Sequence, residues 1–390
     1  MKKLLSILLL VLFNLMLISC DKTELYEIAM ITDYGSITDQ SFNQSTWEAV
    51  KAYAEENNKT YAYYKPSEDS NAARVSKIEQ AIEMGAKVVI MPGYTFSNSI
   101  YEVQDEYKDV NFIALDVNKA DVYDAFYNHD ENGNQTDLKD KNNEPHLSAN
   151  VMCIIFQEEE AGYLAGYAAV KNGERNLGFL GGMAVPSVQR FGYGFIQGIN
   201  DAANELNVKI NLWYIYAGQF YGDNTVTAAM EAWMTDGCET VFACGGGVYT
   251  SVVSAIQTKG KETGKLIGVD SDQSKTVTEV KVLTSAIKGL KDATDSALDS
   301  IYMKLQNNES WNDGGKEIRY GLKTSNEKEY VGLPKDTWSM ENYTLEMYSA
   351  TVKDIREGKI EISSDTTKSP KDFLGENIII KGNNFGGSLK

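Results

Sequence analysis

Three aspartates, Asp33, Asp116 and Asp270, each close a short apolar run, and two glycine turns, Gly181-Gly182 and Cys244-Gly245-Gly246-Gly247, close two more. A carboxylate accepts hydrogen bonds and donates none, so it suits vicinal hydroxyls or N–H donors, and glycine lets the backbone come close to a ligand. Together they favour a neutral polyhydroxy or heterocyclic ligand. A phosphate would be repelled by three acids, and Gly245 to Gly247 lacks the Lys and Ser/Thr of a P-loop, which argues against a nucleoside triphosphate. Taken singly, each Asp also fits a helix N-cap at a strand-to-helix junction. Their joint placement is the stronger signal.

Phe42, Phe191 and Phe195 stand at or just inside expected helix starts, where a ring can stack on a planar base. Phe195 follows Gly194 and shares an apolar stripe with Ile199, so it is assigned to the core, while Phe42 and Phe191 lie nearer the mouth and are assigned to stacking. Lys288 ends Ser285-Ala286-Ile287 at an expected domain crossing and can donate to a ring nitrogen or a ribose oxygen. The alternative for it is a solvated surface lysine. Asp39 is expected to matter little to binding.

These positions need a scaffold that brings strand ends together. Strands are expected at 26–32, 60–64, 87–91, 110–115 and 151–156, with helical periodicity at 42–53, 72–84 and 99–107 between them. A spacing of about thirty residues between apolar runs is the βαβ signature of a parallel sheet. The alternation pauses from Asn118 to Ala149, a polar stretch read as a surface insertion. It restarts with strands at 176–180, 209–216, 240–243, 265–269 and 280–286 and helices at 158–171, 188–206, 225–235 and 248–259. A helix at 289–305, a strand near 318–322 and a closing helix at 340–356 complete the pattern. The expected fold class is α/β: two Rossmann-like three-layer lobes, with ligand held outside the carboxyl ends of both sheets.

Composition sets the outer limits. The 390 residues carry 43% hydrophobic and 24% charged residues, a globular balance long enough for two domains with ordinary cores. The net charge is −18 with no basic block, so a nucleic-acid partner is excluded. Only His129 and His146 are available as imidazole ligands, and no metal or cofactor is implied.

At the start, Lys2 and Lys3 precede an apolar stretch to Leu17 and then Ile18-Ser19-Cys20. That stretch is shorter than a spanning helix and reads as an export signal over residues 1–19, with a lipobox-like cysteine behind it. Cys20 is the expected lipidated N-terminus, followed by a short tether to residue 25. Removing residues 1–19 takes away two lysines and no acid, so the charge falls from −18 to −20 and acyl chains, not electrostatics, must hold the protein to a membrane. The remaining cysteines, Cys153, Cys238 and Cys244, lie in apolar runs and are expected as buried thiols.

Several blocks resemble the bacterial basic membrane lipoprotein (BMP) family of substrate-binding proteins, which includes purine nucleoside receptors. They are Asp33-Tyr34-Gly35-Ser36-Ile37-Thr38-Asp39-Gln40-Ser41-Phe42-Asn43-Gln44, Gly162-Tyr163-Leu164-Ala165-Gly166-Tyr167, Gly181-Gly182-Met183, Arg190-Phe191-Gly192-Tyr193-Gly194-Phe195, Gly268-Val269-Asp270-Ser271-Asp272-Gln273 and Ser285-Ala286-Ile287-Lys288-Gly289. The resemblance implies a type I periplasmic-binding fold with crossover hinges. It places 26–155 plus about 289–317 in an N-terminal lobe and 156–288 plus about 318–390 in a C-terminal lobe. By position, Phe42 and Phe191 would sandwich a purine, Asp116 would face the base edge, Asp270 and Lys288 would bind the ribose hydroxyls, and Asp33, Asn43 and Gly246 would complete the pocket. Departures stand at Tyr34, Ser36, Cys244 and the 118–149 insertion.

The expected function is therefore an exported, lipid-anchored receptor of the cell envelope, monomeric and without enzyme activity. It would capture adenosine, guanosine or inosine between its lobes and pass it to an ABC-type permease. The alternatives are a receptor for a simple sugar or furanose signal, separated by a base-edge acceptor at Asp116, and a nucleoside-cleaving enzyme using the same carboxylates.

Overall fold

The computed structural model describes residues 25–259, 263–307, 309–325 and 328–390. The expected signal segment 1–19, the lipidation residue Cys20 and the tether up to residue 24 lie outside them. The first lobe begins with β1 (Ile28–Ile31), α1 (Phe42–Glu56), β2 (Tyr61–Tyr64), α2 (Asn71–Glu83), β3 (Val88–Pro92), α3 (Ser97–Val103) and β4 (Asn111–Leu115). After α4 (Lys119–Asp124) and the hairpin of β5 (Tyr127–His129) and β6 (Gln135–Leu138), it reaches β7 (Val151–Phe156). The second lobe runs through α5 (Glu158–Asn172), β8 (Asn176–Gly181), α6 (Pro186–Leu206), β9 (Ile210–Tyr216), α7 (Asn224–Thr235), β10 (Thr240–Cys244), α8 (Tyr249–Lys259), β11 (Lys265–Asp270) and β12 (Lys281–Lys288). Then come α9 (Leu290–Asn307), β13 (Lys316–Tyr320), β14 (Val331–Gly332), α10 (Leu345–Arg356) and β15 (Ile378–Ile380).

The strands form two sheets in the orders β13-β7-β4-β3-β1-β2 and β14-β12-β11-β10-β8-β9-β15. All pairings within them are parallel except β12 with β14. Sheets covered on both faces use near-continuous apolar strands, and β1, β3, β4, β7 and β10 are buried along their whole lengths. The two-residue period sorts them: Ile28, Val88 and Ile90 face α1 and α9, while Ala29, Ile31, Val89 and Met91 face α2 and α3. In the second sheet Phe179, Phe242 and Ile267 lie under α5 and α6, and Leu180, Val241 and Leu266 lie under α7 and α8.

The chain crosses between lobes three times. It leaves the first sheet after β7, returns through Gly289 after β12, and leaves again after β13. The expectation put residues from about 318 in the C-terminal lobe, but β13 pairs with β7 from Lys316–Met152 to Tyr320–Phe156, so the last crossing follows Tyr320. Phe156, likewise, still belongs to the first sheet. The first and third crossings are tied by the Gln157 N–H donating to the Tyr320 carbonyl at 2.8 Å.

Helices α5 and α6 cross with their backbones almost touching. A Cβ on Gly162 would lie 2.0 Å from the Phe191 carbonyl oxygen, and one on Gly194 would lie 2.0 Å from the carbonyl oxygen of Glu159. Only glycine permits that approach, and it fixes where the residues around 158 and 190 sit.

The 118–149 segment is more than a surface insertion. Asn118 caps α4 by accepting from the Asp121 N–H at 2.8 Å, and Val122, Phe126 and Leu147 are buried against the first lobe. One apolar residue per short turn, set among Asp, Asn and Lys, hides this from a periodicity reading. The three thiols of Cys153, Cys238 and Cys244 are free and buried.

Candidate functional site

The carboxyl ends of the two sheets face each other across a cavity of about 740 Å³. Asp33, Phe42, Asn43, Asp116, Phe191, Gly246, Asp270 and Lys288 all line it. Asp116 follows β4 directly and Asp270 ends β11, so the two lobes contribute equivalent acids from the ends of central strands. Both adopt left-handed backbone, φ 60° and 63°, a conformation that costs a non-glycine residue on the order of 1 kcal/mol. Such strain persists where the surroundings enforce it, commonly at functional sites.

Neither acid is a helix cap. Asp116 Oδ2 accepts from Lys288 Nζ at 2.6 Å, while its Oδ1 is buried with no hydrogen-bond partner among the described residues. Asp270 Oδ2 accepts from the Ser41 hydroxyl of the opposite lobe at 2.5 Å. Burial pushes the Asp270 carboxyl up to about 6, with Lys288 and the Ser41 hydroxyl pulling the other way. Asp33 has a different task. Its Oδ1 accepts from the N–H groups of Tyr34 and Gly35 at 2.6 Å and from Asn43 Nδ2 at 3.2 Å, so it organises the loop after β1.

Lys288 is not a solvated lysine. Its side chain is 2% exposed, and its ammonium lies 2.6 Å from Asp116 and 3.0 Å from Glu158. The same nitrogen stands 4.8 Å from the Phe42 ring centroid, 5.3 Å from that of Phe156 and 5.5 Å from that of Phe191, within cation–π range of all three. Burial alone would weaken its hold on a proton, but Asp116, Glu158 and Asp270 outweigh that and hold it well above the ordinary lysine range. Phe191 is buried and meets Phe242 edge-on at 6.0 Å, so one ring serves both the core and the cavity wall. Phe195 is wholly buried in the core.

Two features depart from the reading of the residues alone. Asp39 is not peripheral: it lines the cavity and accepts from the N–H groups of Ser41, Asn43 and Gln44 and from the Asn43 amide. It thereby satisfies the first turn of α1, whose N-cap Ser41 instead spends its hydroxyl on Asp270. Of the two glycine turns only Gly245 to Gly247 lines the cavity, while both make room for the loop after β9, a Cβ on Gly182 falling 2.5 Å from the Phe220 ring. Gly246 has φ +52°, and a Cβ there would lie 2.7 Å from the Phe220 carbonyl oxygen, which accepts the Gly247 N–H at 2.7 Å.

Sequence reasoning missed the charges behind the cavity. Glu158 is wholly buried, bonded through Oε2 to Arg190 Nε at 2.6 Å, and burial would raise its carboxyl had Arg190 and Lys288 not held it below the usual range. Its signal was present: Glu158-Glu159-Glu160 follows an unbroken apolar strand, and all three are buried. Tyr94, Phe220 and Tyr221 also line the cavity and bore no spacing signal.

The geometry is that of a receptor cleft: acceptors from both lobes, aromatic walls and a buried ammonium. Comparison with known proteins agrees. At the level of fold, the structure is similar to an ABC transporter system solute-binding protein from Aeropyrum pernix K1, with TM-score 0.62 and 18% identity over 89% of each chain. It is also similar to one from Conexibacter woesei, with TM-score 0.61 and 18% identity over 86% of this chain and 98% of that one. The fold is the type I periplasmic-binding architecture. In sequence, the chain is 29% identical to the ABC transporter nucleoside-binding protein BmpA of Lactococcus lactis, covering 88% of this chain and 90% of the relative. It is 28% identical to basic membrane protein A1 of Borrelia garinii subsp. bavariensis, covering 82% and 85%. Residues 26–372 match the Bmp family model, described as ABC transporter substrate-binding protein, PnrA-like, and the chain thus belongs to that family of transporter substrate-binding proteins.

Proposed function

We propose that this protein captures a purine nucleoside in the cleft between its lobes and delivers it to an ABC permease, held to the outside of a membrane by acyl chains, palmitate among them, on Cys20. Binding and release are the whole of its action, and no bond is made or broken in the ligand.

The observation that carries this reading is the pairing of Asp116 Oδ1, a buried acceptor without a partner among the described residues, with the flanking rings of Phe42 and Phe191. A purine offers the flat face and the edge N–H donors that such a site lacks, and the Asp270 carboxylate in the opposite lobe suits ribose hydroxyls. The nucleoside-binding relative from Lactococcus lactis supports the same ligand class. Stacking at about 1–3 kcal/mol per base contact and charge-assisted hydrogen bonds at about 1.5–3 kcal/mol each support micromolar or tighter binding after association costs.

The test is calorimetric titration of the purified protein with guanosine, adenosine, inosine and ribose. A nucleoside should bind at micromolar concentration or below and ribose far more weakly. Asp116→Asn should weaken the nucleoside on the order of 10- to 100-fold, the worth of one charge-assisted bond. Ribose binding as tightly as the nucleosides would replace this reading with that of a sugar receptor.

A further inference from the structure

Behind the cavity, four buried side chains alternate in charge. Arg190 on α6 holds Glu158 on α5, Glu158 lies against Lys288 at the end of β12, and Lys288 reaches Asp116 after β4. Their side-chain exposures are 10%, 0%, 2% and 8%, so water screens none of the three contacts. Three members belong to the second lobe. Only the Lys288–Asp116 contact spans the cleft, and it is the one that must break when the lobes part.

The ammonium of Lys288 has two carboxylate oxygens within 3.0 Å and uses them differently. It donates to Asp116 Oδ2 at 2.6 Å, whereas Glu158 Oε1 lies 3.0 Å away as an ion-pair partner that no other donor among the described residues engages. A buried charge left without a partner is costly, so a lysine that lost Asp116 with nothing in reach would lose its proton or oppose opening. Glu158 is held for that task by the 2.6 Å bond from Arg190 to its other oxygen, and the Gly162–Phe191 contact fixes the two helices at that separation.

We propose that Glu158, clamped by Arg190, is the second seat of Lys288, taking the ammonium when the lobes open or when a ligand's donors claim both oxygens of Asp116. Glu158 and Arg190 are then positioning residues for binding, acting through Lys288 without touching the ligand. The proposal rests on the nucleoside reading only for the identity of the probe. The charged and titratable groups that face Lys288 are Asp116 from the end of β4, Glu158 from α5, Asp270 from the end of β11 and Cys244 from the end of β10, with Arg190 and Glu159 behind Glu158.

The experiment has a ligand-free arm and a binding arm. Without ligand, the Lys288 side-chain NMR signal is titrated in Asp116→Asn. The ammonium should remain protonated above the ordinary lysine range, because Glu158 receives it, and release of its proton near neutral pH overturns the proposal. In the binding arm, Glu158→Gln combined with Arg190→Met removes both charges and strands neither. It should fold, judged by circular dichroism, yet bind guanosine at least tenfold more weakly, with an affinity that falls further from pH 7 to 9 while that of the parent stays level. Affinity and pH profile equal to the parent's overturn the proposal. Should that variant fail to fold, Glu158→Asp keeps the charge and withdraws the oxygen from Lys288, and it should weaken guanosine at least threefold, an unchanged affinity overturning the proposal. If the parent protein itself binds no nucleoside, the function reading falls while the ligand-free arm still decides the role of Glu158.

Discussion

Lys288 and Asp116 meet across the two lobes, Nζ to Oδ2 at 2.6 Å, although 172 positions separate them in the chain. Each stands at the carboxyl end of a parallel strand, and the Ser41–Asp270 bond joins the lobes a second time. A ligand entering this cleft therefore meets charges already arranged by the fold, which reduces the ordering that binding must supply.

The rings of Phe42 and Phe191 should be separable by experiment. Alanine at either position should weaken nucleoside binding at least tenfold by titration, as expected for the loss of a stacking contact. The melting temperatures should differ, because Phe191 is buried against Phe242 and its truncation should cost about 3–5 kcal/mol, whereas Phe42 is only half-buried. Phe191→Leu should recover most of the stability and little of the affinity. Equal affinities across these variants would remove both rings from the site.

Stability should fall as pH rises through neutrality. Burial, reinforced by the charge of Glu158, pushes the Glu159 carboxyl up to about 7, so the folded protein holds a proton that an unfolded chain releases near 4.5. The resulting contribution, at most on the order of 3 kcal/mol, is full below about pH 4.5 and is lost as pH passes 7. Asp270, raised to about 6, has the same sign over a lower window. Melting curves between pH 5 and 8 should therefore decline for the parent and flatten in Glu159→Gln. Parallel curves would show that Glu159 ionises in the folded protein much as it does in the unfolded chain.

A single methyl group at the helix crossing should reach the site. Gly162→Ala places a Cβ 2.0 Å from the Phe191 carbonyl oxygen, so α6 must move and carry Phe191 and Arg190 with it. The expected cost is about 1–3 kcal/mol of stability together with a several-fold loss of nucleoside affinity. Full retention of both would mean that the crossing is looser than the contact implies.

The parts of this site that were legible in the sequence are those where an apolar β-run stops at an unlike residue. Asp116 and Asp270 were visible because strands 111–115 and 265–270 are continuous hydrophobic signals with a carboxylate at the end. Glu158 was harder to read: three acids in a row follow an apolar strand, but an acid in the first turn of a helix ordinarily answers the helix dipole at the surface, and the packing of α5 against β12 is not written in periodicity. The part Asp39 plays was not legible, because it turns back from the loop onto the start of α1, a path that no periodicity encodes. Strands β14 and β15, two and three residues long, fall below the length at which alternation is a signal.

The central claim is tested most directly by denaturing freshly purified protein and identifying the released small molecules by mass spectrometry, then titrating the emptied, refolded protein with whatever is found. The account predicts guanosine, adenosine or inosine, with a melting temperature that rises on adding it back, since a ligand that binds only the native state must stabilise it. A released sugar, or no ligand and no rise in melting temperature with any nucleoside at millimolar concentration, would contradict it.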